Sequence, residues 1–199
     1  MSRSIFGLTL HRPWSWCLAH PEKFAVGKVC ENRDYSAYGY ARKHGLNLRR
    51  GDLIAIHAGQ RWDDEGAAWI QSVCDTSLPT KHATPTGIVA VASLVAVTRQ
   101  TLEVLDHERK PVRDPWAREE AWHWYLDAVI PFYEPVPCAG SPGLWHLDHT
   151  TTIITMDLVR RVEADRAKVA ETFDRAKRRR PWERVCLPES LTTAREVSA

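Results

Sequence analysis

The chain has 199 residues, a length typical of one domain or of one domain with an appendage. Hydrophobic residues make up 44% and charged residues 26% of it, which excludes a chain disordered throughout. The formal net charge is only +2, so any contact with nucleic acid must use a local patch and not a histone-like basic field.

Neither export nor membrane insertion is predicted. The longest apolar run lies within residues 88–97 and falls short of the roughly 18 residues that a membrane span requires. His11 and Arg12 interrupt the first apolar residues too early for a signal peptide. The sequence therefore predicts a soluble cytoplasmic protein without a membrane partner. Its cysteines are then expected to be reduced thiols: Cys17, Cys30, Cys74, Cys138 and Cys186.

Strands and helices alternate in the first hundred residues. A strand is predicted over residues 5–10, and Pro13 then opens a short helix. Residues 29–35 form a second strand, and a turn at 49–52 leads into an apolar strand over 53–57. Three acidic residues open the next helix, followed by a valine-rich strand over 88–97. That helix presents apolar residues at helical spacing: Trp69, Ile70 and Val73.

A further helix is predicted after Asp114-Pro115, an N-cap followed by a first-turn proline. It would end at Pro131 and leave Trp116 and His123 off its core face, exposed or touching another element. Short strands then follow over 132–138 and 144–147. The core-facing stripe of the helix would consist of Trp122, Tyr125, Leu126 and Val129.

The last fifty residues differ in character. Six β-branched residues over 150–155 predict a strand, and a helical pattern runs from Asp157 to just before Pro181. Its basic run at 177–180 is expected to lie exposed, while its apolar stripe docks on the rest of the chain. The stripe, which Arg166 interrupts, consists of Val159, Val162, Val169, Phe173 and Ala176.

Residues 27–33, read as Gly-Lys-Val-Cys-Glu-Asn-Arg, resemble the G-x-K-x-x-E-x-R pattern of the ASCH domain, a branch of the PUA-like superfamily. Residues 8–14, 50–56 and 143–147 resemble further segments of that family, in its order. The resemblance implies an α+β fold with a small PUA-like β-barrel and flanking helices over 1–150. A strand and a basic amphipathic helix would follow over 151–180, and a polar tail over 181–199.

The motif also has a physical interpretation. On a regular strand Glu31 and Arg33 point to the same side and suit a charge-assisted pair. Lys28 joins them only if Gly27 or a bulge turns the start of the strand. A converged trio would suit a base edge or a phosphate. The alternative is a surface ion pair that contributes about 0–1 kcal/mol.

Aromatic and basic neighbours extend this candidate site. His11 and Arg12 precede Trp14, which either stacks on a flipped base or packs in the core. The other tryptophans are assigned to the core, except that Trp62 and Trp145 stay undecided; the core group is Trp16, Trp69 and Trp122.

The resemblance implies binding of RNA or another nucleic acid through Lys28, Glu31 and Arg33, with His11, Arg12 and Trp14 as neighbours. The alternative is a small hydrolase of acylated cytidine nucleosides or of RNA that uses Lys28, Glu31 and Arg33. The nucleoside hydrolases need a threonine nucleophile where this chain has Glu31. Glu31 would then act as a general base for water. RNA, DNA and a modified nucleoside all remain open as ligands.

No cofactor or metal is predicted. The spacing of Cys17 and His20 suits a metal, as does the cluster of His146, Asp148 and His149, but neither reaches a full ligand set. Phosphate-loop and nucleophile-elbow motifs are missing from the sequence. The oligomeric state is left open, with a monomer favoured.

Overall fold

The computed structural model describes residues 4–74, 76–172 and 185–186, and the side chains of the last helix as far as Asp165. The fold is mixed α+β, as the sequence predicts. The strands of the main sheet are β1 (Ile5–Arg12), β2 (Cys30–Arg33), β3 (Leu53–Trp62), β4 (Gly87–Thr98), β7 (Trp122–Val136) and β8 (Leu144–His146). A small sheet contains β5 (Glu103–Leu105), β6 (Pro111–Arg113) and β9 (Val185–Cys186). The helices are α1 (Trp14–Ala19), α2 (Ala37–Lys43), α3 (Asp64–Cys74) and α4 (His149–Thr172), and Pro21–Lys23 forms one 3₁₀ turn.

The main sheet has the order β2-β7-β4-β3-β1-β8 and is antiparallel except for the parallel pair β1 and β3. In a flat sheet, β2 would lie about 19 Å from β1, at about 4.8 Å per strand. Yet the Arg33 side chain on β2 donates a hydrogen bond to the Thr9 carbonyl on β1 at 3.1 Å. The sheet is therefore strongly curved, and bulges in β3, β4 and β7 provide the bends.

The two faces of the curved sheet bury different cores. The inner face packs Leu8, Ile56 and Trp124 against one another and is covered by α1 and α2. The outer face packs Val91 and Ile130 against α4. Burial on both faces explains why the central strands are apolar at nearly every position.

The helix predicted after Asp114 is wrong, because this segment contains a turn and then the long strand β7. Trp124 faces the inner core, while the next residue, Tyr125, faces a third cluster under the small sheet. Apolar residues on both faces of one strand imitate a helical stripe. The Asp114 carboxylate accepts the Trp116 N–H at 2.9 Å within the turn.

The strand predicted over 150–155 is also wrong, since α4 begins at His149. The Asp148 carboxylate caps the helix by accepting the Thr151 N–H at 2.9 Å. The Thr152 hydroxyl donates to the Asp148 carbonyl at 2.8 Å, so a threonine that favours strands is satisfied in the first turn. The cap overrides the β-branched propensity.

The docking of α4 on the rest of the chain is confirmed for Val159, which is buried, and for Val162, which packs beside it. Phe173, Ala176 and the basic run 177–180 lie outside the described residues, as does the side chain of Val169. Within the predicted polar tail, Val185 and Cys186 pair with β5. None of the described helices combines the length and hydropathy of a membrane span.

Candidate functional site

The paired side chains of Glu31 and Arg33 are confirmed. They alternate with Cys30 and Asn32 along β2 and therefore share the inner side of this edge strand. The Arg33 Nε lies 3.1 Å from Glu31 Oε1, and the two side chains are 21% and 12% exposed. The pair is thus shielded more than a surface ion pair, while both groups still reach solvent.

Aromatic rings and the β1 backbone hold the Arg33 guanidinium. Its Nη2 donates to the Thr9 carbonyl, and its Cζ lies 6.0 Å from the centre of the buried Trp124 ring. Burial raises the pKa of the nearby Tyr35, and the positive charge of Arg33 opposes that rise. These contacts fix the guanidinium beside the Glu31 carboxylate.

Lys28 does not join the Glu31–Arg33 pair. It precedes β2, it is 1% exposed, and its ammonium donates a hydrogen bond to the Cys30 carbonyl. The ammonium lies 5.3 Å from the Trp14 ring centre and 5.5 Å from that of Trp116, both cation–π distances. Within the described residues, no carboxylate lies within the 4.0 Å of an ion pair with it. The structure joins Glu31 to Arg33 and encloses Lys28 between two indoles.

Trp14 belongs to this packed enclosure. Its Nε1 donates to Asp63 at 2.7 Å, which lowers the pKa of that carboxyl group. The ring lies 6.0 Å from Trp69 and 6.5 Å from Trp116. The core interpretation of Trp14 therefore fits its contacts, although the ring is half-buried.

The other predicted tryptophan and histidine positions divide between core and surface. Trp116 and His123 are both buried, with 4% and 1% exposure, and both contact other elements. Trp69 is 41% exposed, so its assignment to the core is wrong, whereas Trp16 and Trp122 are half-buried.

Arg12 stabilises a loop. Its guanidinium donates to the carbonyls of Gln60, Lys81 and Thr84 at 2.7–3.0 Å, and the side chain is buried. These bonds tie the 81–84 loop to β1 and engage both terminal nitrogens of the guanidinium. The preceding His11 is exposed.

The thiols and the carboxyl group near Lys28 are buried. Burial raises the pKa of Cys17 to about 12 and raises that of Cys30, so both thiols are protonated at neutral pH. Burial also raises the pKa of Asp114, against the lowering effect of the Trp116 N–H and of Lys28. Neither of these two buried thiols is therefore a thiolate nucleophile at neutral pH.

A second polar cluster, which the sequence did not reveal, lies beside the pair at Thr9. Trp145 Nε1 donates to Thr9 Oγ1 at 3.2 Å, and the Trp145 ring lies 5.9 Å from His57. His57 is buried and donates from Nε2 to the Cys138 carbonyl at 3.2 Å. Thr9 and His57 are partners in the β1–β3 register, a pairing that only the fold establishes.

His57 is expected to make the protein less stable in mild acid. Its Nδ1 has no partner among the described residues, and burial lowers its pKa below 6.5. Below about pH 6.5 the unfolded chain therefore takes up this proton first, and stability falls as the pH drops further. Urea midpoints at pH 7.5 and 5.5 should differ more for the wild type than for His57→Gln. An equal difference in both proteins would contradict this assignment.

The cysteine and histidine clusters do not form a metal site within the described part of the chain, where no group of three or more His, Cys, Asp or Glu side chains converges. Asp148 is engaged in capping α4.

No protein-family model and no curated protein matches the chain. The interpretation of the site therefore depends on its geometry.

Proposed function

We propose that the chain is an ASCH-like module that binds single-stranded nucleic acid through Glu31 and Arg33, with RNA as the favoured ligand. The observation that carries the proposal is the fixed pair itself, with 12% and 21% exposure on the inner side of an edge strand. It presents a carboxylate oxygen beside guanidinium N–H groups. A nucleobase edge carries the complementary donor and acceptor side by side.

The curvature of the main sheet supports the proposal that this sheet forms a PUA-like barrel. Arg33 of β2 reaches the backbone of β1, and Tyr40 of α2 donates to the Pro142 carbonyl near β8 at 3.3 Å. The K-x-x-E-x-R spacing is complete at Lys28, Glu31 and Arg33. Gly27 departs from the family pattern, since it directly precedes the lysine.

Burial of Lys28 bears on the hydrolase alternative. A lysine that activates a nucleophile must reach the substrate, and here its ammonium packs between Trp14 and Trp116. Glu31 also lacks the hydroxyl group that the nucleoside hydrolases use. Binding without turnover is therefore the function that the geometry favours.

The test measures fluorescence anisotropy with a labelled random-sequence RNA decamer and its DNA counterpart. Arg33→Met and Glu31→Gln should each weaken RNA binding by about 1–3 kcal/mol, or roughly 5- to 150-fold. Arg99→Met is the matched control, because Arg99 lies 5.3 Å from the Trp122 ring much as Arg33 lies 6.0 Å from the Trp124 ring, but it is exposed and forms no ion pair with Glu31 within the described residues.

Three results would contradict the proposal. The first is that the wild type binds neither decamer. The second is that Arg33→Met binds the RNA decamer as tightly as Arg99→Met does. The third is that mass spectrometry detects cleavage of the decamer or deacylation of N4-acetylcytidine by the wild type, which would favour the hydrolase.

A further inference from the structure

A ladder of three aromatic rings leads from the Glu31–Arg33 pair to the surface. Tyr35 stacks on Tyr40 with ring centres 4.9 Å apart and planes 24° apart. Tyr40 stacks in turn on His44, at 4.1 Å and 26°. We call this set the α2 ladder. It begins beside the guanidinium, since the Tyr35 ring lies 5.9 Å from the Trp124 ring, and Arg33 Cζ lies 6.0 Å from that same indole.

The inner part of the α2 ladder is fixed in place. The Trp124 indole donates to the Tyr35 carbonyl at 3.2 Å, and Tyr40 donates to the Pro142 carbonyl at 3.3 Å. Gly143 lies so close to Tyr40 that an added Cβ would come within 2.5 Å of the hydroxyl. His44, the last ring, is exposed. The ladder therefore offers a pre-ordered ring at the protein surface.

Positive charge surrounds the outer ring. Arg42 and Lys43 occupy the last turn of α2, and both are exposed next to His44. Stacking of Tyr40 on His44 contributes only weakly to helix stability, as is usual for a pair of side chains four residues apart. Aromatic rings beside basic side chains are the combination that single-stranded nucleic acids bind, by stacking and by phosphate contacts.

We propose that His44 stacks on a nucleobase and forms a second subsite, adjacent to the one at Glu31 and Arg33. This inference rests on the proposed function and makes it more specific, because the ligand is then a strand of at least two nucleotides. A free nucleoside would fill only the first subsite. His44 lies two ring spacings beyond Tyr35, a distance that a few nucleotides span at 3.4 Å each.

The experiment compares ligand lengths. Unlabelled mono-, di-, tetra- and decanucleotides of random RNA sequence compete with the labelled RNA decamer for the wild type, His44→Ala and His44→Phe. The wild type should gain about fivefold or more in affinity from the mononucleotide to the tetranucleotide. His44→Ala should lose that gain without weaker mononucleotide binding, and His44→Phe should retain it. Thermal unfolding of each variant shows whether the substitution at the end of α2 also lowers the stability of the protein.

The outcomes separate this inference from the proposed function. If Arg33→Met weakens every length while His44→Ala behaves as the wild type, the second subsite is wrong and the first stands. If the wild type binds mono- and decanucleotides equally, the ligand is a nucleoside and the inference is again wrong. If the wild type binds no length, both proposals fail. Loss of the length gain in His44→Phe as well would also overturn the stacking role.

Discussion

Replacing Trp124 with alanine is expected to lower the free energy of unfolding by about 3–5 kcal/mol, as for other large aromatic residues removed from a core. Trp124 is fully buried at the centre of the inner face, and its indole N–H is bonded to the Tyr35 carbonyl. The substitution would open a cavity beneath Arg33 and leave that carbonyl without its donor. Urea unfolding monitored by far-ultraviolet circular dichroism measures the effect.

Trp122→Ala is the matched control, since Trp122 lies on the same strand and face but is half-buried at the first position of β7. This substitution should lower the free energy of unfolding by at most half as much as Trp124→Ala does. If the two substitutions cost the same free energy, the interior position of Trp124 is incorrect. Trp124→Phe should recover part of the stability, because a phenyl ring refills much of the cavity but leaves the Tyr35 carbonyl without its donor.

The sequence predicted elements well where one signal dominated. Residues 5–10 and 88–97 lie within β1 and β4, and the acidic start at Asp64 opens α3. The prediction failed where the same apolar residues fitted both the period of a helix and a strand that is buried on both faces. Tyr125 and Leu126 are adjacent and both fully buried, a pattern that arises only when each face of a strand has its own core. Periodicity within one segment contains no information about the second core.

Part of the candidate site could likewise be predicted from local sequence, and part could not. The pairing of Glu31 with Arg33 follows from the two-residue repeat of a strand, so a local rule was sufficient. The surroundings of Lys28 depend on Trp116, far along the chain and in a segment predicted as a helix. Arg12 likewise finds two of its carbonyl partners 69 and 72 residues away. Such partners follow from topology, which residue spacing does not encode.

Lys28 therefore has a different expected role from that of Glu31 and Arg33. Its ammonium fixes the Cys30 carbonyl, immediately before Glu31, and fills the space between two indoles. A buried ammonium is costly to desolvate, so its net contribution comes from packing and from that bond. We expect it to position β2 without touching the ligand.

Lys28→Ala is accordingly expected to lower the free energy of unfolding by about 2–5 kcal/mol, the range for truncating a long buried side chain. Lys28→Met keeps the volume and removes the charge, so it should recover most of this loss. Because the ammonium is 1% exposed, Lys28→Met should also bind the labelled RNA decamer within about threefold of the wild type. Urea unfolding and anisotropy on the same preparations give both quantities. A Lys28→Met protein that is as stable as the wild type but binds at least tenfold more weakly would show that the ammonium contacts the ligand, and the site would then consist of all three charged residues of the motif.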